Sequence, residues 1–452
     1  MKALTLQLGV LLTMLVTGLP AMAVDMPTEV TLIQNVNIFD GKYEKLLKGH
    51  DVLVVNGLIK AIGEDIPTSG TYEVDVKTGT VRAQEARAPG SLHTYDVVTP
   101  GKTETKHVKV HVIDGGGRTL MPGLIDAHWH LMLSATKGNS WQTEQPDYAH
   151  ARMVVESGRL LQRGFTTIRD IAGPGFGIKK AIDEGLIDGP RIYPSGAMIS
   201  QTSGHADRTQ PFEEPRVFSG RVPVGEGILK MDHVVNGPAE MLAAVRQNLK
   251  QGATQIKLAL GGGVYSFYDP IDVTELTDTE IKAAVDAASD WGTYVTAHVY
   301  TAKGIQRGIR NGLKTIEHGQ LMDEKTAKLM SEKGIFLVTQ PFEDDPNLRA
   351  LATDVQWEKY MQVVEGWKIT ADLLKKYKVK MGFGTDLVFT PENNGQQGDF
   401  LARFSTWFSN VEMLRMITST NDELMALSGK VLHRRAVLAR RRCLVRWHCY
   451  GV

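Results

Sequence analysis

Cysteine is nearly absent: the 452 residues include two, Cys443 and Cys449, both within the last ten. A disulfide framework therefore cannot hold the fold together. Net charge is absent too. Lys plus Arg and Asp plus Glu number 51 each, and aromatic residues make up 7%, so nothing in the composition favours a nucleic-acid partner or an anionic membrane surface. Beyond the first 25 residues no apolar run is long enough to span a bilayer. Nucleotide fingerprints are missing as well. The Gly-rich LALGGGVYS, residues 258–266, lacks the Lys-Ser/Thr pair and immediate helix start of a Walker loop, and no G-x-G-x-x-G opens a βαβ unit. Gly261, Gly262 and Gly263 are read instead as room for a substrate or for backbone contacts beside Lys257. The length suits a soluble globular protein with one barrel and a small accessory layer, or one with two or three domains.

The first residues, MKALTLQLGVLLTMLVTGLPAMAVD, carry Lys2, an apolar stretch from Ala3 to Leu19 and the small-x-small end Ala21-Met22-Ala23. This is the pattern of a secretory signal peptide, residues 1–23, with cleavage expected after Ala23. A periplasmic or secreted protein without stable membrane insertion is the expected product. An uncleaved anchor is the competing reading, but Gly9, Thr13, Gly18 and Pro20 interrupt a short apolar segment, and no cysteine follows for lipid attachment. Residues 24–115 read as a small β domain. VTLIQNVNIFDG and DVLVVNGLIKAIG alternate apolar and polar residues across turn signals, as an antiparallel sheet does, and residues 66–107 are a polar insertion or long hairpin.

From residue 116 to 429 the rhythm changes. Eight short β-rich runs, LIDAHWH, GFTTIRD, RIYPSGAMIS, QIKLAL, YVTAHVY, KTIEHG, FLVTQ and KMGFGTD, are separated by segments of helical period such as DTEIKAAVDAASDWG. Strand and helix alternating in this way predict an α/β fold, a closed (β/α)8 TIM barrel with a small β-sandwich-like accessory domain; a doubly wound open sheet is the runner-up.

In a barrel, chemistry sits where strands end. His128 and His130 end the first run and share one face, with Trp129 on the other. Two surface histidines on a polar strand end remain the plain alternative. Yet Lys257 lies in the fourth run, His298 in the fifth and His318 in the sixth, and Asp386 closes the eighth. Each is set among apolar or small neighbours, where an unpaired charge is costly, so each needs a partner. Imidazoles, a lysine and a carboxylate satisfying one another around metal is the reading that accounts for all six. Arg169 and Asp170 of TTIRD are expected as a structural pair beneath the site.

MPGLIDAHWH, IKLALGGG, VTAHVYT, TIEHGQLMD and GFGTD resemble the amidohydrolase superfamily, specifically its imidazolonepropionase-like branch with the Xaa-Pro dipeptidases and related metal-dependent carboxypeptidases, over residues 28–64 and 108–429. The resemblance implies two divalent metal ions. His128 and His130 would bind one with Asp386, His298 and His318 would bind the other, and Lys257, carboxylated by CO2, would bridge both. Zinc suits such ligands, and Mn2+, Co2+ or Fe2+ can occupy them. Asp386 would be the catalytic general base and acid. The loop ISQTSGHADRT would bring His205 to the substrate, and Tyr300, on the strand face of His298, would bind its carbonyl or carboxylate.

The implied activity is hydrolysis of an amide C–N bond with release of a C-terminal amino acid from a small molecule or dipeptide. Xaa-Pro comes first; Xaa-Arg/Lys dipeptides and N-acyl amino acids such as ochratoxin stay open. A lactonase or phosphotriesterase-like enzyme on the same ligands is the alternative, as is an inactive or binding-only protein. A homo-oligomer is compatible with all of these. The last argument comes from the tail. After LMALSGK the family's strands return to the N-terminal sheet, whereas the tail at 430–452, which reads VLHRRAVLARRRCLVRWHCYGV from residue 431, is an atypical basic end of frame-shifted or truncated character. A basic amphipathic tail is the competing reading. The expected consequence is an accessory sheet with an exposed edge, and reduced stability or aggregation.

Overall fold

The computed structural model describes residues 30–55, 57–67, 70–74, 81–84, 94–98, 105–138, 140–223, 225–266, 268–345, 349–350 and 352–429. The expected leader at residues 1–23, with its expected cleavage site, and the basic tail at 430–452 lie outside these residues. Among the described residues no helix is long and apolar enough to cross a membrane.

The chain divides into two compact units. Within the first, the described part of Pro67–His111, strands β4 (Gly70–Val74), β5 (Val81–Gln84), β6 (Thr94–Val98) and β7 (Thr105–Asp114) follow the spatial order β5-β4-β6-β7, and β7 carries the chain on into the second unit. The polar segment 66–107 thus contains strands of its own. The second unit, the described part of Thr31–Ile66 and Val112–Val452, begins with β1 (Val30–Ile38), β2 (Leu47–Val55) and β3 (Leu58–Gly63). β2 and β3 form an antiparallel hairpin, and β1 takes the short β8 (Thr119–Leu120) alongside in parallel. β3 ends its sheet, with Leu58, Ile59 and Ile62 exposed.

Ten parallel strands follow: β9 (Leu124–Trp129), β10 (Phe165–Asp170), β11 (Arg191–Pro194), β12 (Met198–Ser200), β13 (Asp232–Val234), β14 (Ile256–Ala259), β15 (Val295–Thr301), β16 (Thr315–Leu321), β17 (Phe336–Thr339) and β18 (Lys380–Phe383). Their near-continuous burial on both faces explains why they read as unbroken apolar runs. The helices between them start where the sequence offers caps. Thr277 with Glu280 and Thr353 with Gln356 form reciprocal capping boxes on Asp278–Asp290 and Asp354–Tyr377, and Asp323 caps Glu324–Lys333.

The fold is α/β with parallel sheets, as expected, but the ladders do not close a ring. They form two arcs, β11-β10-β9 and β13-β12-β14-β15-β16-β17-β18. The run RIYPSGAMIS, expected as one strand, is two: Gly196 at φ 74° turns the chain between β11 and β12, and this is one of the two seams. At the other seam side chains replace the ladder. Asn421 Nδ2 donates to the carbonyls of Ile125 and Phe383, both at 2.8 Å, and its Oδ1 accepts from Phe383 N–H at 3.2 Å, tying β9 to β18. Asp386 N–H then donates to the His128 carbonyl at 2.9 Å.

Candidate metal centre

The site is assembled from residues on, or just past, strands of both arcs. β9 delivers His128 and, one residue past its end, His130; β14 delivers Lys257, β15 His298 and β16 His318. Asp386 does not close β18, as the sequence suggested. It lies three residues beyond Phe383, in the loop, at φ 53°, and His318 stands at φ 76°. Both are left-handed backbone positions that non-glycine residues occupy at a cost, tolerated here because the surroundings over-determine them. Gly384 makes the approach feasible: a Cβ there would lie 2.4 Å from His128 Cβ.

His128, His318 and Asp386 each present a ligand atom within 4.8 Å of the other two, a cluster able to hold a metal ion. Asp386 Oδ1 lies 3.4 Å from His128 Nε2 and 3.3 Å from His130 Nε2. The His298 ring centroid is 4.5 Å from that of His318. Lys257 is fully buried in the same neighbourhood.

The donor set is prepared for a cation. His128 Nδ1–H donates to Glu317 Oε2 at 2.9 Å, His318 Nδ1–H to Gln340 Oε1 at 2.8 Å, and His298 Nε2–H to the Gly262 carbonyl at 3.1 Å. Gln340 spends its own amide on the Gly384 carbonyl, which leaves its oxygen as the acceptor. Each outward bond fixes a tautomer and leaves the other ring nitrogen as a lone pair. His130 Nδ1, by contrast, is buried without a partner. Burial, seconded by Lys257, pushes His298 down to about 3; burial also lowers His130 and takes His318 well below the ordinary range, so these imidazoles are neutral, as ligands must be. Burial brings the Lys257 ammonium down to about 8 against the opposing pull of Glu317 and Asp386. For Asp386 burial works upward, but the His128 and His130 imidazoles outweigh it and hold the carboxyl well below its usual value. Its side chain is 22% exposed, open enough to be reached.

His205 stacks on His298, ring centroids 3.8 Å apart and planes 9° off parallel. Tyr300 is buried, 5.0 Å by ring centroid from both His298 and His318. The three glycines are there for close backbone approach. A Cβ on Gly262 would sit 1.9 Å from the Pro270 carbonyl oxygen, and one on Gly263 2.0 Å from His205 Nδ1.

Beneath the site the expected Arg169–Asp170 pair is not formed, because adjacent strand residues point to opposite faces. Arg169 Nη2 instead meets Glu317 Oε1 at 2.5 Å and its Nε donates to the Ala127 carbonyl at 2.6 Å, while Asp170 accepts Leu131 N–H at 2.9 Å. Glu317 also receives the Thr296 hydroxyl. Burial alone would raise its carboxyl, yet Arg169 and His128 bring it down to about 2. Glu317 was passed over in the sequence reading, as was Asp126, whose carboxylate accepts His128 N–H at 3.0 Å, Thr385 Oγ1–H at 2.7 Å and Gln397 Nε2–H at 2.9 Å. A signal existed: each is the lone carboxylate of a strand buried almost throughout, which demands a buried donor.

A model of the amidohydrolase family matches residues 119–431. The chain belongs to that family. Among solved structures, an amidohydrolase is 31% identical with a TM-score of 0.71, covering 88% of this chain and 87% of its own. A prolidase complexed with N-methylphosphonate-L-proline is 29% identical with a TM-score of 0.73, over 91% and 96%. The ochratoxinase of Aspergillus niger is 35% identical over 236 residues, 48% of this chain and 47% of the relative. The chain spans about half the length of the curated relatives it matches. The His128–His318–Asp386 cluster lies within the residues matched by the amidohydrolase family and could hold a metal ion.

Proposed function

We propose that the protein releases a C-terminal amino acid from a dipeptide or N-acyl amino acid, Xaa-Pro first, at a pair of divalent ions. The observation that carries this reading is the convergence of His128, His318 and Asp386 with the stacked His298–His205 pair beside them. His128, His130 and Asp386 would hold one ion and His298 and His318 the other, with Lys257 carboxylated between them. A buried amine brought down to about 8 reaches more readily than a free lysine the neutral form that carbon dioxide needs, and the carbamate offers two anionic oxygens. Zinc is the expected metal. A metal pair supplies an acidified water and an electrophile for the amide oxygen.

The side chains do the rest. Asp386, ionised and partly exposed, accepts the proton of the attacking water and returns it to the departing nitrogen, so the bond to carbon breaks as an amine leaves. His205 and Tyr300 orient the substrate from the side of β15. Glu317 and Gln340 keep His128 and His318 in ligating tautomers. The leader-like pattern of residues 1–23 supports a periplasmic or secreted location for the reaction.

Asp386→Asn should cut dipeptide hydrolysis by about 10²–10⁴-fold with little change in folded structure. Metal analysis alongside a panel with C-terminal Pro, Arg, Lys and Phe is the test. Cleavage of a lactone but of no amide in that panel would overturn the reading.

A further inference from the structure

A cavity of about 330 Å³ lies outside the metal cluster, in the long excursion between β12 and β14, and none of the proposed metal ligands lines it. Its wall carries the carboxylates of Asp207, Glu213, Glu226 and Glu240 against a single guanidinium, that of Arg216. Acidic residues at a surface are commonplace, but Glu226 is 7% exposed and only half satisfied. Its Oε1 receives Arg216 at 3.0 Å and His233 Nδ1 at 3.2 Å, while Oε2 is buried with no partner. On the same wall Thr202 Oγ1 is buried and unpartnered. Behind it, Asp232 leaves a further carboxylate oxygen without a donor.

A buried acceptor left without a donor costs roughly 1–3 kcal/mol, more when charged. Both residues line one cavity whose remaining surface includes Pro215, Pro223 and Val234 and the ring of Tyr268. A wall of carboxylates mixed with apolar side chains matches a methylene stem tipped by several N–H donors, which can turn Glu226 Oε2 towards the ligand, and a ring face adds attraction for a cation. We propose that this cavity binds an organic cation, a guanidinium or primary ammonium on an alkyl stem, with Glu226 as its counter-ion.

Thr202 and Ser203 line the cavity and lead directly into His205, so an occupant rests against the loop that reaches the metal cluster. The inference does not depend on hydrolysis, since binding is read on metal-free protein.

The probes are n-butylguanidinium and, as its neutral isostere, n-butylurea, titrated calorimetrically into the full chain. The guanidinium should bind at least about tenfold more tightly than the urea, and Glu226→Gln should remove that preference. Thr202→Val, which keeps every charge, should weaken the guanidinium several-fold and guards against a Glu226 variant that fails to fold. Competition between n-butylguanidinium and Gly-Arg, but not Gly-Pro, would assign the cation to a substrate side chain; binding without competition would assign it to a free metabolite. Equal affinity for the two probes, no binding of either, or guanidinium affinity unchanged in Glu226→Gln would overturn the proposal.

Discussion

The floor of the metal cluster and the β2–β3 hairpin treat mismatched groups in opposite ways. In the floor, charges are buried and answered: Glu317 takes Arg169, His128 and Thr296, and Asp126 takes His128, Thr385 and Gln397. On the hairpin, apolar side chains are left in water, Ile59 at 63% exposure, on a strand that ends its sheet. The first region is expensive to disturb and holds its geometry through cross-strand partners. The second contributes little per residue and offers an edge to other chains. Chemistry and colloidal behaviour are therefore separable in this protein.

The comparison breaks most visibly at Glu317. Glu317→Ala leaves the Arg169 guanidinium buried and uncompensated, and should cost about 3–5 kcal/mol in urea unfolding; a loss below about 1 kcal/mol would place the network among exposed, screened pairs. Asn421→Ala removes the donors that join β9 to β18 and should cost about 1–3 kcal/mol by the same measurement.

Acidity sharpens the contrast further. Glu275, which accepts His205 N–H at 2.9 Å and the Ser200 hydroxyl at 3.1 Å, is pushed up to about 8 by burial, with Asp269 adding to it. The folded chain keeps a proton that the unfolded chain gives up near 4.5, so this group's contribution to stability falls as pH rises from about 4.5 to about 8 and is level beyond. Glu275→Gln should flatten that slope in unfolding curves taken across the window; an unaltered slope would assign it to other carboxyls. Glu317 works the other way. Depressed to about 2, it contributes above its ordinary 4.5 and is lost only as pH falls towards 2. The smallest effect is expected on the hairpin. Ile59→Lys with Ile62→Lys should move stability by no more than about 0.5 kcal/mol each while lowering light scattering on heating. Scattering that stays as it was would locate the sticky surface elsewhere.

Periodicity and composition were enough to read the alternation of parallel strands and helices, because strands buried on both faces must be apolar throughout and helices must show their period. The convergence of His128, His318 and Asp386 was legible for a related reason: ionisable groups set among apolar runs have no local means of being satisfied. The partners of those residues were not legible. Glu317 lies 189 positions from the His128 it orients, and Arg169 lies next to Asp170 in the chain yet answers Glu317 on the other arc. Strand pairing decides such contacts, and no local pattern encodes it. The split of RIYPSGAMIS, the displacement of Asp386 past the end of β18 and the left-handed backbone at His318 are likewise tertiary outcomes, imposed where packing at the seams and around the cluster outweighs local preference. The sequence alone determined which residues must avoid water and which cannot do so unaided; only the folded chain decided which of them meet, since that depends on register and packing summed over strands far apart in the chain.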